Sequence, residues 1–550
     1  RVMIYPYAHL SPSLAPPELA VPVLKGMEEH LRSMGLEVHR APFGWYKSFE
    51  IRCKGHPLSE LSKEIRPGGR VSEALEAEKK ISSAWYILDM DGALHPISLE
   101  HEEVVGYRFN GLNGLRRFCE YEMAKSRAAG KEPPHVALMQ RLELADYEPG
   151  SDPGHFRYYP KGRLIKALLE KFVTDRVIEA GGMEVETPMM YDVHHPALKE
   201  YLHRFPARQY TIRSPDKETF LRFAACFGQF LMMHDATISY RDLPARIYEL
   251  AKYSFRVEQR GELTGLRRLR AFTMPDCHSF CADMEGAVRE LMDRFELSWE
   301  IMSGIGFDLP RDMEMAVRAT EDFWKEHESA VVSLVRKWGK PVLVEMWSER
   351  FFYFTFKYEW NFIDALGKCS ALNTDQIDVE NAARYGIVYI GADGKEHHPL
   401  ILHQSPSGAI ERVLYALLER QQMRQERGEK PELPFWLSPT QVRLIPVSQE
   451  YVEDCVALAS KLNARADVDD REETVGKRIR DAEREWISMI LVYGEKERTS
   501  GKLAVRLRDG TQGSLTHDGL SRTIASMCEG YPKAPLPLPI LLSRRIVFRG

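Results

Sequence analysis

Two strand-like segments joined by a short polar loop constrain the fold of this chain more than any other feature of its sequence. The segments are "YSFRVEQRGE" and "LRRLRAFTMPDCHSF", and the loop between them, "QRGELTG", has the polar and glycine content of a hairpin turn. Successive side chains of a strand point to opposite faces of a sheet. One face of the second strand is therefore predicted to carry Arg268, Arg270, Phe272, Asp276 and His278, with Cys277 on the other face.

The chemistry of this face favours a phosphate and a base as ligands. The first strand adds Arg256 and Glu258, which are two residues apart and so also share a face. Guanidinium groups match phosphate oxygens, a carboxylate beside them suits an amino group, and Phe272 could stack on a base. For any single arginine, an exposed ion pair on a solvated hairpin is the more common situation. The face as a whole favours a binding surface.

The cysteines and His278 leave the question of a metal open. A lone histidine is more often a satisfied core residue than a ligand, and the spacing of Cys277 and Cys281 is not that of a zinc ribbon. The eight cysteines form no CxxC pair, which indicates free thiols in a reducing compartment. A metal site assembled from distant residues cannot be recognised from spacing alone.

The length of 550 residues predicts about three or four domains. Pro- or Gly-rich stretches break the chain at residues 66–69, near 150 and at 427–439, and the last segment starts at about residue 436. We expect a hairpin at Asp91-Gly92, amphipathic helices at 163–182 and 407–422, a helical insertion near 286–340 and a charged loop at 467–483. The last segment alternates strands and helices and is typical of a small α/β domain.

Net charge, hydropathy and the first residues of the chain limit the classes of protein to which it could belong. The net charge of −5 means that any nucleic-acid surface must be a local patch, and no run of eighteen apolar residues predicts a membrane span. The chain starts at Arg1 in the apolar run "RVMIYPYAHL", without the basic region of a signal peptide. We expect a chain cut inside a domain.

Three segments together resemble the three motifs of class II aminoacyl-tRNA synthetases. The helix followed by "VETPMM", with Pro188, resembles motif 1; "FRVEQRGELTGLRRLRAFT" resembles motif 2; "GAIERVLYALLER", with Gly408 and Arg412, resembles motif 3. Within that class the chain is most similar to threonyl-tRNA synthetases of the archaeal type. The resemblance implies an α+β multidomain fold. Its parts would be a catalytic core of class II antiparallel sheet with helices (151–435), an α/β anticodon-binding domain (436–550), a linker (74–150) and a partial editing domain related to D-aminoacyl-tRNA deacylases (1–73).

The resemblance also implies an activity and its partners. The expected enzyme is a threonine–tRNA ligase that activates L-threonine with ATP and transfers it to tRNA(Thr). It would be a cytoplasmic homodimer through motif 1 and would bind neither membranes nor DNA. Another enzyme of the same subclass, such as a prolyl-tRNA synthetase, and a non-catalytic tRNA-binding paralogue are the alternatives.

Residue roles follow from the matched motif positions. The resemblance implies one zinc ion per subunit, held by Cys226, His278 and His403, and Mg²⁺ that accompanies ATP. An open zinc position could accept the amine and hydroxyl of threonine, and valine lacks that hydroxyl. The threonine site would add Asp276, Tyr358 and Asn373. The ATP site would consist of Arg256, Glu258, Arg268, Phe272 and Arg412, with Arg256 and Arg412 as the catalytic residues.

The two outer domains carry further implied sites. Glu497 and Arg506 match anticodon-reading positions, whereas Glu472 stands where bacterial members carry an asparagine. About half of the editing domain is expected to be absent, a judgement that rests on the usual size of a small domain. The editing positions that match imply residual clearance of seryl-tRNA(Thr); they are His9, Tyr46, Lys47 and Glu60.

Overall fold

The computed structural model describes residues 2–6, 15–45, 83–124, 132–204, 209–258 and 263–548. The chain divides into two compact units, Arg1–Gly69 and Arg70–Gly550. In the first unit, β1 (Val2–Ile4) pairs in parallel with β2 (Val38–Arg40), and α1 (Pro17–Ser33) connects them. This helix ends just before Gly35, whose φ of 78° breaks the helical path.

The second unit opens with three strands, two helices and a small hairpin. These elements are β3 (Ser83–Leu88), β4 (Leu94–Glu100), β5 (Glu103–Val105), α2 (Asn113–Ala124), α3 (Pro134–Arg141), β6 (Ala145–Tyr147) and β7 (Phe156–Tyr158). The turn predicted at Asp91-Gly92 is confirmed between β3 and β4. There the Asp89 carboxylate accepts hydrogen bonds from the backbone N–H groups of Asp91 and Gly92.

The middle of the chain contributes half of the described helices and the longest of the described strands. In chain order they are α4 (Pro160–Glu179), β8 (Met183–Glu184), β9 (Met190–Asp192), α5 (Pro196–Arg204), β10 (Thr211–Arg213), β11 (Glu218–Leu221), α6 (Cys226–His234), β12 (Ala245–Phe255), β13 (Ala271–Cys281), α7 (Met284–Ile305), β14 (Met313–Thr320), α8 (Glu321–Trp338), β15 (Val342–Trp347), β16 (Phe354–Ile363), β17 (Cys369–Asp378), α9 (Asn381–Tyr385), β18 (Tyr389–Ile390), β19 (Glu396–His397), β20 (Leu400–Ser405) and α10 (Ile410–Glu426).

One large, mostly antiparallel sheet organises this part of the molecule. Within the described ranges it has eleven strands, in the order β5-β4-β3-β15-β14-β16-β17-β20-β13-β12-β8. Only the β14–β15 and β12–β8 pairs among these strands are parallel. The α+β prediction is confirmed, and so is the hairpin, because β12 and β13 pair along their length with one register shift between Ala251 and Ser254.

Two details of the predicted strands are corrected. β13 begins at Ala271, so Arg268 and Arg270 lie in the turn before the strand and not on its face; the backbone N–H of Arg270 donates to the Gly154 carbonyl. The region 286–340 is not purely helical, because β14 runs between its two helices. Arg318 interrupts the apolar pattern of that strand, so the sequence does not predict it. The burial of the Arg318 side chain is compensated by ion pairs with three glutamates: Glu122, Glu345 and Glu359.

The main hydrophobic core lies between the sheet and the helices α4, α7 and α10. The apolar stripe predicted for α4 is buried there, with Ile165 and Leu169 fully inaccessible to solvent. Within the described residues, no helix combines the length and the apolar character that crossing a bilayer requires.

The last part of the chain forms a separate α/β layer. Its elements are β21 (Val442–Pro446), α11 (Val452–Lys461), β22 (Ala466–Val468), α12 (Val475–Arg484), β23 (Met489–Tyr493), α13 (Glu495–Ser500), β24 (Lys502–Leu507), β25 (Gln512–Thr516) and α14 (His517–Met527). The strands are ordered β22-β21-β23-β24-β25. The predicted α/β pattern is confirmed, but the predicted charged loop contains α12. This helix has few apolar residues, and the Thr474 hydroxyl caps it by accepting from the backbone N–H of Lys477.

Candidate active site

Three adjacent strands, β13, β20 and β17, form the floor of a cavity of about 320 Å³. His403 of β20 lies opposite His278 of β13 on one side and Gln376 of β17 on the other. Residues that are directly opposite in an antiparallel pair point to the same face. That face presents to the cavity Met274, Asp276, His278, Thr374, Gln376 and His403.

A buried thiol and two imidazoles converge at one end of this cavity. Cys226, the first residue of α6, has its Sγ 3.3 Å from His278 Nε2 and 3.7 Å from His403 Nδ1, and the two ring nitrogens are 3.1 Å apart. All three side chains are buried, and among the described residues they form the one group of potential ligands close enough to share a metal ion. The prediction that they meet is confirmed.

The groups behind the two imidazoles determine where their lone pairs point. His278 Nδ1 lies 2.7 Å from the Gln229 amide oxygen, and His403 Nε2 lies 2.7 Å from an Asp378 carboxylate oxygen. Each of these ring nitrogens donates to an oxygen, so the lone pairs of His278 Nε2 and His403 Nδ1 face each other and the Cys226 sulfur. Burial lowers the pKa of His278 well below its usual value, with a further contribution from His403. The donor set therefore fits a metal cation.

Asp276 lies beside the triad on the same strand face. Its carboxylate accepts a hydrogen bond of 3.0 Å from the backbone N–H of Ala225, next to Cys226. Burial raises the pKa of Asp276 to about 6, and the bond from Ala225 opposes that rise. Across the cavity, the Tyr353 hydroxyl donates to the Gln376 amide oxygen at 2.8 Å. Asp276 is thus positioned to bind a cationic amine close to the metal position.

Three arginines gather beside the cavity. Arg256 lines it directly. Burial lowers the pKa of Arg412 to about 10, and the nearby guanidinium groups of Arg256 and Arg268 lower it further. Three guanidinium groups that repel one another in a partly buried position fit a polyanionic ligand such as a triphosphate.

Glu258 and Phe272 lie next to these arginines. Glu258 is only 3% exposed, and its Oε2 accepts from Nε and Nη2 of Arg268 at 3.1 and 3.0 Å. Phe272 lies on β13 opposite Ser254 of β12 and is mostly buried. The structure therefore brings Glu258 together with the three arginines, whereas Phe272 belongs to the main hydrophobic core and does not line the cavity.

Tyr358 and Asn373 do not line the cavity, contrary to the expectation from sequence. Asn373 is fully buried and donates to the Ser298 hydroxyl of α7 at 2.7 Å. The Tyr358 ring packs against Phe295 of the same helix. The physical reason is strand alternation, because the neighbouring Thr374 takes the cavity side of β17 and its odd-numbered neighbours face α7.

Sequence reasoning missed the residues that support the site. Gln229, Tyr353, Gln376 and Asp378 were not singled out, although each contacts a ligand-bearing or cavity-lining group. One signal was present in the sequence: Gln229 follows Cys226 by three residues, which places both on one helix face.

The remaining predicted positions lie elsewhere or outside the described residues. Glu497 caps α13 by accepting from the backbone N–H of Gly494, and Arg506 of β24 pairs with Glu483 at 3.4 Å. The four editing positions are outside the part of the chain that the structure describes: His9, Tyr46, Lys47 and Glu60.

Family models match three parts of the chain. A model described as the archaea-specific editing domain of threonyl-tRNA synthetase matches residues 1–65. A model of the tRNA synthetase class II core domain (G, H, P, S and T) matches residues 210–421, and a model of an anticodon binding domain matches residues 441–526.

Individual proteins extend the comparison to the full chain. The threonine–tRNA ligase of Pyrococcus horikoshii is 56% identical over 559 residues, which covers 100% of this chain and 88% of that protein. A solved structure of the RNA binding domain of threonyl-tRNA synthetase from Cryptosporidium parvum is 27% identical, with a TM-score of 0.62, covering 73% of this chain and 99% of the other. The Giardia lamblia prolyl-tRNA synthetase in complex with prolyl-adenylate shares the fold, with a TM-score of 0.56 at 18% identity, covering 72% and 79%.

Proposed function

The chain belongs to the family of threonine–tRNA ligases, and from that premise we propose that it activates L-threonine with ATP and transfers it to tRNA(Thr). The observation that carries this proposal is the meeting of Cys226, His278 and His403 in a cavity that Arg256, one of the clustered arginines, also lines. One end of the cavity suits an amino acid that can bind a metal, and the other suits a triphosphate. The role of the enzyme in translation makes a cytoplasmic location part of the proposal.

We propose that the metal is zinc, one ion per subunit. A thiolate and two neutral imidazoles are typical zinc ligands, and three protein ligands leave a fourth position open. In that position the ion would supply an electrophilic site for the amine and hydroxyl of threonine. Gln229 and Asp378 support the ligands by holding the two imidazoles in the tautomers that leave their inner nitrogens unprotonated.

The chain's own residues would orient the two reactants. Asp276 would bind the threonine ammonium group, while Arg256 and Arg412 would neutralise charge on the phosphates of ATP, which arrives with Mg²⁺. Glu258 would accept from the adenine amine, with Phe272 against the base and Arg268 alongside. Attack of the threonine carboxylate on the α-phosphorus releases pyrophosphate and depends chiefly on orientation and charge neutralisation.

The motif 1 region supports a homodimer. β8 is a two-residue edge strand of the large sheet, and the apolar side chains around it are exposed: Met183 (53%), Met189 (47%), Met190 (51%) and Tyr253 (43%). Edge strands and exposed apolar patches are typical of protein interfaces. We assign this surface to the contact with a second copy of the chain.

The outer segments extend the proposal to tRNA. The family-model matches fall inside the predicted segments 1–73, 151–435 and 436–550 and support those boundaries. Glu497 and Arg506 are proposed to contact the anticodon. Serine retains the hydroxyl that the metal would recognise, so clearance of seryl-tRNA(Thr) by the first segment is a second proposed activity, supported by the editing-domain match.

Amino-acid-dependent ATP–pyrophosphate exchange tests the function directly. The purified enzyme should exchange with threonine, more weakly with serine and at background with valine and proline. Cys226→Ala should reduce threonine-dependent exchange by at least about 100-fold, whereas the buried Cys455→Ala, in the C-terminal layer, should not. Exchange with proline in place of threonine would favour a prolyl-tRNA synthetase, and background exchange with every amino acid would favour a non-catalytic paralogue.

A further inference from the structure

We propose that His135, which lies on α3 outside the cavity, is a positioning residue for the ATP side of the site. The inference rests on the proposed function, because it concerns the arginines assigned there to ATP. His135 comes from the segment that precedes the catalytic core in the sequence, and neither strand of the motif 2 hairpin contains it.

His135 forms two opposite hydrogen bonds inside the protein. The side chain is fully buried, as is that of its partner Glu419 on α10. A Glu419 carboxylate oxygen accepts from His135 Nδ1 at 2.7 Å and from the His135 backbone N–H at 2.9 Å. His135 Nε2 accepts from the backbone N–H of Leu266 at 3.1 Å. Because Nε2 accepts a hydrogen bond, the ring proton lies on Nδ1 and the Nε2 lone pair points at the turn.

The turn that His135 holds leads directly into Arg268, one of the three arginines assigned to ATP. Leu266 is the middle residue of the short helical turn Gly265–Arg267, and Arg268 follows directly. Gly265 has a φ of 47°, and a Cβ at this position would lie 2.2 Å from His135 Nε2. Imidazole and turn are thus in close contact, with no room for a side chain between them.

The next peptide group of the turn orients Arg412. The carbonyl oxygen of Arg267 accepts from Arg412 Nε at 3.0 Å. A second contact fixes Arg267. Its guanidinium pairs with Asp364 at 3.2 Å, and the Tyr415 hydroxyl donates to the same Asp364 carboxylate. Arg412, Tyr415 and Glu419 all lie on α10. His135 therefore completes a closed path from α10 to the turn and back to Arg412.

Loss of the His135 lone pair would leave the Leu266 N–H buried without an acceptor, since Leu266 is fully buried. A buried donor without a partner is unfavourable, so the turn would shift towards another acceptor. That shift would move the Arg267 carbonyl and, with it, the Arg412 guanidinium. The triad at the other end of the cavity has no contact with this path among the hydrogen bonds described above.

Two substitutions distinguish the roles of the two ring nitrogens of His135. His135→Asn places an amide nitrogen near the position of Nδ1 but offers no acceptor to Leu266, whereas His135→Gln places an amide oxygen near the position of Nε2. The matched control is Val136→Ala, which removes buried methyl groups beside Gly265 and leaves the Leu266 hydrogen bond intact. Each purified full-length variant is measured by threonine-dependent ATP–pyrophosphate exchange, with thermal unfolding in parallel.

The expected result is a change in the KM for ATP without a matching change in the KM for threonine. His135→Asn should raise the KM for ATP about 10-fold, the effect of one buried hydrogen bond, with the KM for threonine changed less than about two-fold. His135→Gln should keep the KM for ATP within about three-fold of the wild type. Val136→Ala should lower the unfolding temperature without changing either KM by more than about two-fold.

Other results would overturn the inference. An unchanged KM for ATP in His135→Asn, an equal rise in both substrates' KM values, or equal effects of the two His135 variants would each do so. If His135→Asn does not accumulate as folded protein, a KM for ATP raised about 10-fold in His135→Gln overturns it, and a KM within three-fold supports it. Background exchange by the wild type would overturn the proposed function as well. If the wild type is active, the results for the variants test only the role of His135.

Discussion

At the scale of single residues, the oxygen atoms behind the two imidazoles determine whether the triad can hold a metal. Asp378 accepts from His403 and also from the backbone N–H groups of Glu380 and Asn381, so its position is fixed by several bonds. Such outer partners usually change metal affinity 10- to 100-fold when they are removed.

Asp378→Asn should therefore weaken zinc binding by about 10- to 100-fold, because a neutral amide oxygen is a weaker acceptor for the His403 N–H. The measurement is competition for zinc with a chromogenic chelator. Asp393→Asn is the matched control, since that carboxylate contacts the exposed His397 at 3.0 Å far from the cavity floor. Equal zinc affinities for wild type and Asp378→Asn would contradict the assigned role.

The site residues were predictable from sequence to different degrees. Cys226 and His403 are 177 positions apart, and only a resemblance to a family could connect them. Asp378 has no spacing that marks it as the partner of a histidine, and the spacing of Gln229 from Cys226 indicates a shared helix face but not a contact with His278. Tyr358 and Asn373 lie outside the cavity lining, because Thr374 takes the cavity side of β17 and Asn373 faces the other way, while Tyr358 of β16 lies opposite Asp375 on that other face.

At the scale of elements, a buried ion pair ties the three motif segments together. Lys166 of α4 pairs with Glu411 of α10; the two side chains are 4% and 1% exposed and 2.5 Å apart. The other Glu411 oxygen accepts from the backbone N–H of Thr273 on β13 at 2.8 Å. Glu411 precedes Arg412, so this tie bears on the orientation of α10 against the sheet.

Lys166→Met should lower the free energy of unfolding by about 3–5 kcal/mol, because Glu411 would keep a buried charge without its partner. The double variant Lys166→Met/Glu411→Gln should be less destabilised than that single variant, since the amide still accepts from Thr273 and no charge remains. Chemical denaturation measures both. A double variant whose loss of unfolding free energy equals the sum of the losses in Lys166→Met and Glu411→Gln alone would contradict the argument.

The exposed motif 1 edge gives a second prediction at this scale. Met183→Glu/Met190→Glu should convert a dimer into a monomer at micromolar concentration, because charged side chains would be buried at the proposed interface. Analytical ultracentrifugation measures the mass. The control is Met527→Glu, at a methionine of the C-terminal layer that is also exposed (42%). A wild-type protein that sediments as a monomer would contradict the assigned interface.

Most elements were predictable where their periodicity was strong. The helix α4 and the hairpin of β12 and β13 follow from their apolar patterns and turn residues. β14 was not predicted because Arg318 interrupts its apolar pattern, and the three glutamates that compensate this charge come from other elements, namely α2, β15 and β16. The order of the eleven strands depends on long-range pairing, which no local pattern contains.

At the scale of the whole molecule, the chain joins an editing-domain match, a catalytic core and an anticodon-domain match. Discrimination against valine would depend on the metal, and discrimination against serine would depend on a second site. The two activities are therefore expected to respond to different substitutions.

Lys47→Ala should slow hydrolysis of seryl-tRNA(Thr) at least about 10-fold and leave threonine-dependent exchange unchanged. The reverse pattern is expected for Cys226→Ala, which should lose exchange and retain hydrolysis of preformed seryl-tRNA(Thr). Release of labelled serine from purified seryl-tRNA(Thr) measures the first activity. Wild-type hydrolysis no faster than the uncatalysed reaction would contradict the proposed editing activity.

The most direct test of the central claim is anomalous X-ray diffraction at the zinc edge from crystals of the purified protein. We predict one zinc ion per chain, about 2.3 Å from Cys226 Sγ and about 2.0–2.1 Å from His278 Nε2 and His403 Nδ1. A map without a zinc peak between these three atoms, in a protein that activates threonine, would contradict the account.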